Sequence, residues 1–477
     1  MAFTEFCCRS GGSNLNAGTR TGNSTEPGVA ADLTYASGTW VSATGVFTVA
    51  AGDPVADGVA VGDFASVYAD GASVTTLVGR VTARTTTTIT VSTTFKGGTT
   101  TDGTSTRTLK IGGAWQGPNG TSAFPFNIFA HAIRNASDDM PRVNLKNNQT
   151  HSVTVTLGTV GSNYIVQGYT AAYGDGGRAV IDGGTSGASY ILVTVGGNAL
   201  FCDLEIKNNG ATGSSQLINA ASGSYFIRCV IRDCRGDGVR VAATTSVRFS
   251  ECELYGCNQS NTADIGAITN NGGVLDCVRC MIHDNTGSNV LGIRLGSGTG
   301  TITNCIIESN GGDGIGIRSQ LATITGCDLY NNGGNGINVN PSSSFVVVEI
   351  ANCNFVKNTL YGIRGTTATY AYGRLINCGF GTGTQANGSG TTTGLGSIVE
   401  SGSVTYAADV TPWTDPANGD FRISLAAAKA AGRGSFTQTA ASYAGTIGYP
   451  DIGAAQSTGG GGSASSRMVN VRGGADQ

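Results

Sequence analysis

FCDLEI (201–206), RCVIRDC (228–234), ECELYGC (251–257), RCMIHDN (279–285), NCIIESN (304–310), GCDLYNN (326–332), NCNFVKN (352–358) and NCGFGTG (377–383) are one phrase written eight times. The anchor cysteines are Cys202, Cys229, Cys252, Cys280, Cys305, Cys327, Cys353 and Cys378, spaced by 27, 23, 28, 25, 22, 26 and 25 residues. An apolar residue stands two places after each, from Leu204 to Phe380. Five places after come Cys234, Cys257, Asn285, Asn310, Asn332 and Asn358. A second short run follows in six units: GVRV (238–241), GAIT (266–269), GIRL (292–295), GIGI (314–317), GINV (336–339) and GIRG (362–365).

A repeat of 20–50 residues signals stacked architecture. Each unit here holds short alternating segments separated by Gly, Asn and Asp, which is strand period rather than helix period. One such unit cannot bury its own apolar face, but the next unit stacked on it can. The pattern therefore predicts an all-β fold: a parallel β-helix solenoid, with each anchor cysteine and the residue two later pointing inward and like residues stacking at about 4.8 Å per turn. The asparagines at the bends are placed to bond backbone in the next turn, with Cys234 and Cys257 filling that slot as small apolar residues.

ITNCIIESNGGDGIGI (302–317) and ITGCDLYNNGGNGINV (324–339) resemble the pectate-lyase-like family of right-handed parallel β-helix repeats. The resemblance is close over about 190–382 and looser over 125–190. It implies the right-handed form of the coil. It does not imply one activity, because that fold carries lyases, hydrolases, epimerases, adhesins and virus tailspikes, and function lives in the site.

The remaining chain reads as flanking parts. Residues 1–39 are expected to form an opening strand and cap. Residues 40–112 alternate strictly and are rich in Val and Thr, as a small antiparallel β module would be. The β-helix is expected over 113–440, with a short helix in 113–136 and the helix-prone AAAKAA piece near 426–431 closing the core. A closing segment at 441–456 precedes a Gly-rich linker and tail at 457–477, where Arg467 and Arg472 are candidates for an oligomer contact.

Glycine is abundant (75 of 477) and charged residues make up only 12%, with a net charge of −3. No basic stripe suggests nucleic acid. No run of 18 apolar residues suggests membrane insertion. The start, MAFTEFCCRSGGSN, lacks the basic and apolar regions of a signal peptide. These features lead to an expected location on the extracellular surface or a virion, without a recognisable signal. Thirteen cysteines could suggest disulfides, yet eight share one inward position, where parallel side-chain vectors do not suit a bridge. They read as reduced core residues. Cys7, Cys8 and Cys277 stand outside the pattern.

Three places after the anchor cysteine, four successive units carry Tyr255, His283, Glu308 and Tyr330. The register predicts one outward column, with Glu253 and Asp284 beside it. His283 and Glu308 are the candidates for general acid–base work. Tyr255 and Tyr330 are candidates for stacking on sugar rings. The plainer alternative is a solvated outer face with mixed side chains. A second outward column is expected at Arg240, Ile268, Arg294, Gly316, Asn338 and Arg364, with Arg318 nearby; Arg294 joins the glycan-binding candidates. The GDG pairs at 236–238 and 312–314 read as turns rather than calcium sites, and the lone CVRC (277–280) is not a metal pair. No metal or cofactor is expected.

The motifs that carry catalysis in the resembled family are missing. There is no WxDH or RxPxxR, no NTD, GHG and RIK set, and no DPHE. The leading expectation is therefore a structural or adhesive surface protein of the tailspike, fibre or filament kind. It would form homo-oligomers or polymers, with a polysaccharide as the possible ligand. The alternative is a polysaccharide lyase or glycoside hydrolase working on the outer face.

Overall fold

In the computed structural model of the chain, most of 3–114 and 140–423 is described, apart from loops such as 10–15, 18–27, 70–76, 93–103, 185–191, 210–215, 260–264 and 383–396. Residues 115–139 and 424–477 are outside the described residues. The expected short helix of 113–136, the AAAKAA closure, the 441–456 segment and the tail with Arg467 and Arg472 fall almost wholly there.

The repeat folds as a parallel β-solenoid, and no α-helix occurs among the described residues. Each turn contributes strands to three faces. The first face holds the glycine-led runs, such as Val239–Val241 and Ile315–Ile317. The second holds strands such as Ser224–Ile227 and Leu321–Thr325. The third is an eleven-stranded sheet running from Thr150–Ser152 to Val404–Ala408, through three-residue strands such as Glu253–Tyr255 and Ile306–Glu308.

Those three-residue strands are short because both ends turn sharply. The residue before each anchor cysteine (Arg228, Glu251, Arg279, Asn304, Gly326, Asn352, Asn377) and the residue four after it (Asp233, Gly256, Asp284, Ser309, Asn331, Lys357) have φ between 49° and 64°. Non-glycine residues enter this left-handed region at a cost of about 1–2 kcal/mol each. The corners are held because their backbone N–H groups pair with the next turn, as Asn304 N does with the Thr325 carbonyl at 2.8 Å. Asn and Asp, which tolerate this region best, recur there.

Inside, the cysteine column is continuous from Cys229 to Cys378. Each cysteine carbonyl accepts from the residue after the next cysteine, as Cys280 O does from Ile306 N at 2.9 Å. Each thiol points at a backbone carbonyl, as Cys305 Sγ does at Thr303 O (3.4 Å). All thirteen cysteines are buried, and none is in a disulfide. Cys202 departs from the expectation. Leu204 pairs with Ala179 while Glu205 pairs with Val230, so Leu204 takes the column position and Cys202 lies at the end of a second-face strand, opposite Ile227. The left-handed corner there is Asp203 (φ 54°), two residues later than the phrase suggested. The unit is thus re-phased, and Asn209 becomes its bend residue.

Cys277 occupies the second-face core column that continues a stack of Phe201, Phe226 and Phe249, whose rings lie 5.0 and 5.1 Å apart. Cys8 joins the main core, and Cys7 meets the Tyr169 hydroxyl at 3.0 Å. At the bends, Asn285 Nδ2 donates to Asn310 Oδ1 (2.7 Å), Asn310 Nδ2 to Asn332 Oδ1 (2.9 Å) and Asn332 Nδ2 to Asn358 Oδ1 (2.9 Å).

The N-terminal module is a closed six-stranded antiparallel barrel running from Leu33–Val41 to Thr104–Ile111. Its first strand starts ahead of residue 40 because Leu33 and Tyr35 pair with Ile111 and Leu109. The barrel has its own core of Trp40, Phe47, Val67, Ile89 and Leu109. It is inserted after Phe3–Cys8, which pairs in parallel with Met140–Lys146 of the coil. Phe64 and Val78 of the barrel belong to the same buried cluster as the solenoid core.

Candidate functional site

Two outer surfaces carry polar side chains with a chemical use, and they lie on different faces.

On the third face, Tyr255, His283, Glu308 and Tyr330 pair in register, turn upon turn. They do not form an exposed strip. His283 is 2% exposed, Tyr330 4% and Glu308 9%; only Tyr255 is half-exposed. At the Tyr330 end the cover is a segment that the repeat pattern does not predict. Trp413–Asp415 and Asp420–Ile423 form a small hairpin that lies on the third face. Trp413 and Phe421 meet the Tyr330 ring edge-on at 5.5 and 5.8 Å. Met281, Ile306, Val356 and Tyr406 complete this outer apolar cluster. The Tyr406 hydroxyl donates to Asn354 Oδ1 at 2.5 Å. Alternation sends a side chain outward, but it cannot say whether another part of the chain will cover it.

His283 sits among acids. Its Nδ1 contacts Asp284 at 2.8 Å and its Nε2 contacts Glu253 at 3.1 Å, while the ring stacks on Tyr255 at 5.0 Å. Burial opposes its charge, but hydrogen bonds to Asp284 and Glu253 outweigh that and raise its pKa to about 9. Glu308 follows His283 in the column. Burial pushes its carboxyl up to about 7 against the attraction of the imidazolium. A protonated imidazole beside a carboxyl that titrates near neutrality has the elements of acid–base chemistry. The same burial closes His283 to a polymer, and the charges serve mainly to satisfy one another.

The pH dependence of stability follows from these shifts. Both groups have raised pKa values, so both contribute most at low pH. The Glu308 contribution is full below about 4.5 and is lost as pH rises through about 7. The His283 contribution is full below about 6.5 and is lost through about 9. Urea denaturation is expected to show stability falling between about pH 4.5 and 7, by on the order of 3 kcal/mol from Glu308. Glu308→Gln should flatten that limb, and His283→Gln the limb above pH 7.5. Unchanged profiles in both variants would remove the cluster as their source.

The first face is at least partly exposed along its length, except at Thr269. Its outward column runs Asn219, Arg240, Thr269, Arg294, Gly316, Asn338, Arg364. Ile268, expected in it, points into the core. Ile268 pairs with Val239 and Ile293, so Ala267 rather than Gly266 stands where the other units have glycine. A one-residue slip exchanges the two faces of a strand. Arg294 therefore belongs to this surface, and the third-face residues do not share a site with it.

Gly316 interrupts the column, and the gap is a shallow, open depression of about 30 Å³ lined by Leu291, Arg294, Asp313, Gly316, Ile317, Arg318, Asn338 and Asn340. A Cβ at Gly316 would meet only the Leu291 side chain, at 3.1 Å. Asp313 is held by Asn335 Nδ2 (2.6 Å) and Asn338 Nδ2 (2.7 Å). Asp237, three turns earlier, accepts from Thr269 Oγ1 at 2.5 Å. Burial pushes its carboxyl up to about 6, partly countered by that hydrogen bond and by the Gly266 N–H. Both aspartates are thus bound into the turns by protein donors. No cluster of three or more His, Cys, Asp or Glu side chains suited to a metal occurs among the described residues. Of the missed features, the depression had a weak sequence signal, the glycine breaking a column of Arg and Asn.

Among known proteins, residues 133–319 and 265–415 match the profile of the right-handed β-helix region. No curated protein matches the sequence. Similar solved structures include pectate lyase Pel9A, at 16% identity and TM-score 0.34 over 62% of this chain and 77% of that one. The periplasmic alginate epimerase AlgG shows 12% identity and TM-score 0.32 over 56% of this chain and 77% of that one. Pectin methylesterase from carrot shows 18% and 0.32 over 60% and 89%. The profile covers more than half of the sequence, and the chain belongs to the right-handed β-helix family.

Proposed function

We propose that the protein is an adhesive β-helix that binds a polysaccharide along its first face and works on an extracellular or virion surface. The observation that carries this reading is the open depression at Gly316, flanked by Arg294 and Arg318 and by the amides of Asn338 and Asn340. Amides and guanidinium groups lining a shallow hollow are the groups that hold sugar hydroxyls and carboxylates. Arg240 and Arg364 extend the same column. The absence of the catalytic motifs of related folds fits binding without turnover. No helix among the described residues is long and apolar enough to cross a membrane.

The test is retention of the protein in gels containing acidic or neutral polysaccharides. Gly316→Leu fills the depression at a position with ordinary strand φ, so the fold should survive while retention falls at least tenfold. Arg294→Gln should weaken retention on acidic polymers more than on neutral ones. Equal retention of Gly316→Leu and the parent would sink the reading.

A second reading, a lyase or hydrolase of polysaccharides, is favoured by the Glu308 carboxyl titrating near 7 beside His283. It requires the buried His283 and Glu308 to become accessible to a polymer. New reducing ends or unsaturated products, abolished by Glu308→Gln, would establish it in place of adhesion.

A further inference from the structure

The second face carries a surface that neither the adhesive nor the enzymatic reading uses. Its middle outward column runs Tyr225, Arg248, Asp276, Thr301, Thr323, Glu349, Arg374, each paired in register with the next. Two residues earlier on the same strands, a parallel column runs Ser246, Val274, Thr299, Leu321, Val347. Val274, Leu321 and Val347 are 49%, 45% and 48% exposed, and Tyr225 is 37% exposed. Four of the seven exposed large apolar side chains among the described residues therefore lie on this one sheet face. Scattered exposed aliphatics need no explanation, whereas a grouped set marks an interaction surface.

The order of charges selects the partner. The middle column reads aromatic, plus, minus, neutral, neutral, minus, plus. Laid against a second copy with the coil axes antiparallel and the two-fold at Thr301, it matches itself. Tyr225 then faces Arg374 of the second copy, Arg248 faces Glu349, Asp276 faces Thr323, and Thr301 faces its own equivalent. Because this two-fold runs along the strands, the neighbouring column also faces itself. Val274 then meets Leu321, and Thr299 meets its equivalent. Every charge except that of Asp276 gains an opposite charge or an aromatic face, and Asp276 keeps Arg248 of its own chain at 3.3 Å. Val274 and Leu321 thus meet near the centre, while Val347 faces Ser246. Placing the two-fold between Thr301 and Thr323 instead would bring Arg248 onto Arg374 and Asp276 onto Glu349.

We propose that two copies of this chain associate through the second face as an antiparallel, two-fold dimer centred on Thr301. Seven turns at about 4.8 Å by roughly five residues at 3.3 Å give a plane of about 500 Å² per copy. The total, about 1,000 Å², is near the lower limit for a specific interface, so the dimer is expected to be concentration-dependent. A closed, isologous pairing of this kind uses one patch on both copies, and it leaves both first faces open.

Sedimentation equilibrium of the full chain over a hundredfold concentration range tests this. The parent should approach twice its 48.1 kDa mass. Leu321→Lys, at an exposed position, should hold it at the monomer mass with unchanged circular dichroism. Arg248→Glu and Glu349→Arg should each weaken association at least tenfold, and the double variant should restore it, because those two groups face one another only in the proposed register. A parent that stays monomeric, a dimer indifferent to Leu321→Lys, or a double variant that fails to recover each overturns the assignment. None of these positions lies in the Gly316 depression, so loss of the dimer and loss of glycan retention are separate outcomes.

Discussion

Cys305→Asp is expected to destabilise the coil by roughly 3–5 kcal/mol, or to prevent folding outright. Cys305 is fully buried in the middle of the cysteine column. Its Sγ lies 3.5 Å from the Cys277 carbonyl and 3.4 Å from that of Thr303, and the Cys280 N–H approaches it at 3.5 Å. Burial raises its thiol pKa well above the ordinary range, so it is a neutral, weak donor to carbonyl oxygens. A carboxylate there would face two carbonyl oxygens with one distant N–H and no cation. Cys305→Ala removes only a small side chain and should cost far less, about 1–2 kcal/mol. Urea unfolding followed by circular dichroism reads both, and near-equal losses would mean that the column is not the sealed interior described. Thiol labelling of the native parent should modify fewer than one cysteine per chain, rising to all thirteen once it is denatured.

Asn332→Ala should cost about as much without introducing any charge. Asn332 is fully buried at the bend. Its Oδ1 accepts from Asn310 N (3.2 Å) and Asn310 Nδ2 (2.9 Å), while its Nδ2 donates to Asn358 Oδ1 (2.9 Å) and Ile307 O (3.1 Å). Truncation strips four hydrogen bonds and leaves buried donors and acceptors in two neighbouring turns. At about 1–3 kcal/mol for each group left unsatisfied, the loss should reach roughly 3–5 kcal/mol after partial relaxation. Because turns in a solenoid hold one another pairwise, hydrogen exchange should accelerate first in turns 304–358 and spread from there. Asn332→Asp keeps the shape but loses the two donations, and should be no better. A loss below 1 kcal/mol for Asn332→Ala would show that the stack is incidental to stability.

The coil was legible because its cause is local and repeated. A cysteine, an apolar residue two later and a bend residue at plus five recur often enough to define inward and outward positions by alternation alone. Where the repeat is interrupted, that logic slips. At Cys202 a two-residue change of phase hides Leu204 and Asn209. At GAIT the conspicuous glycine is one residue ahead of the position that matters, and Ile268 goes inward while Thr269 goes out. Neither slip can be seen without the hydrogen-bond register, because glycine and cysteine mark turns and cores without fixing which residue is opposite which.

The residues alone were enough for a parallel β-helix with an antiparallel module near its start, and for Tyr255, His283, Glu308 and Tyr330 in one column; the right hand followed from the resemblance to a known family. Periodic burial and strand alternation act over a few residues and repeat. That most of the column is buried, that His283 is tied to Glu253 and Asp284, and that the accessible polar surface lies around Gly316 on another face emerged from the folded arrangement. The cover at Tyr330 depends on where Trp413 and Phe421 return along the coil, and the rest on which turns lie side by side. A single non-repeating contact between distant segments leaves no period in the chain from which it could be read.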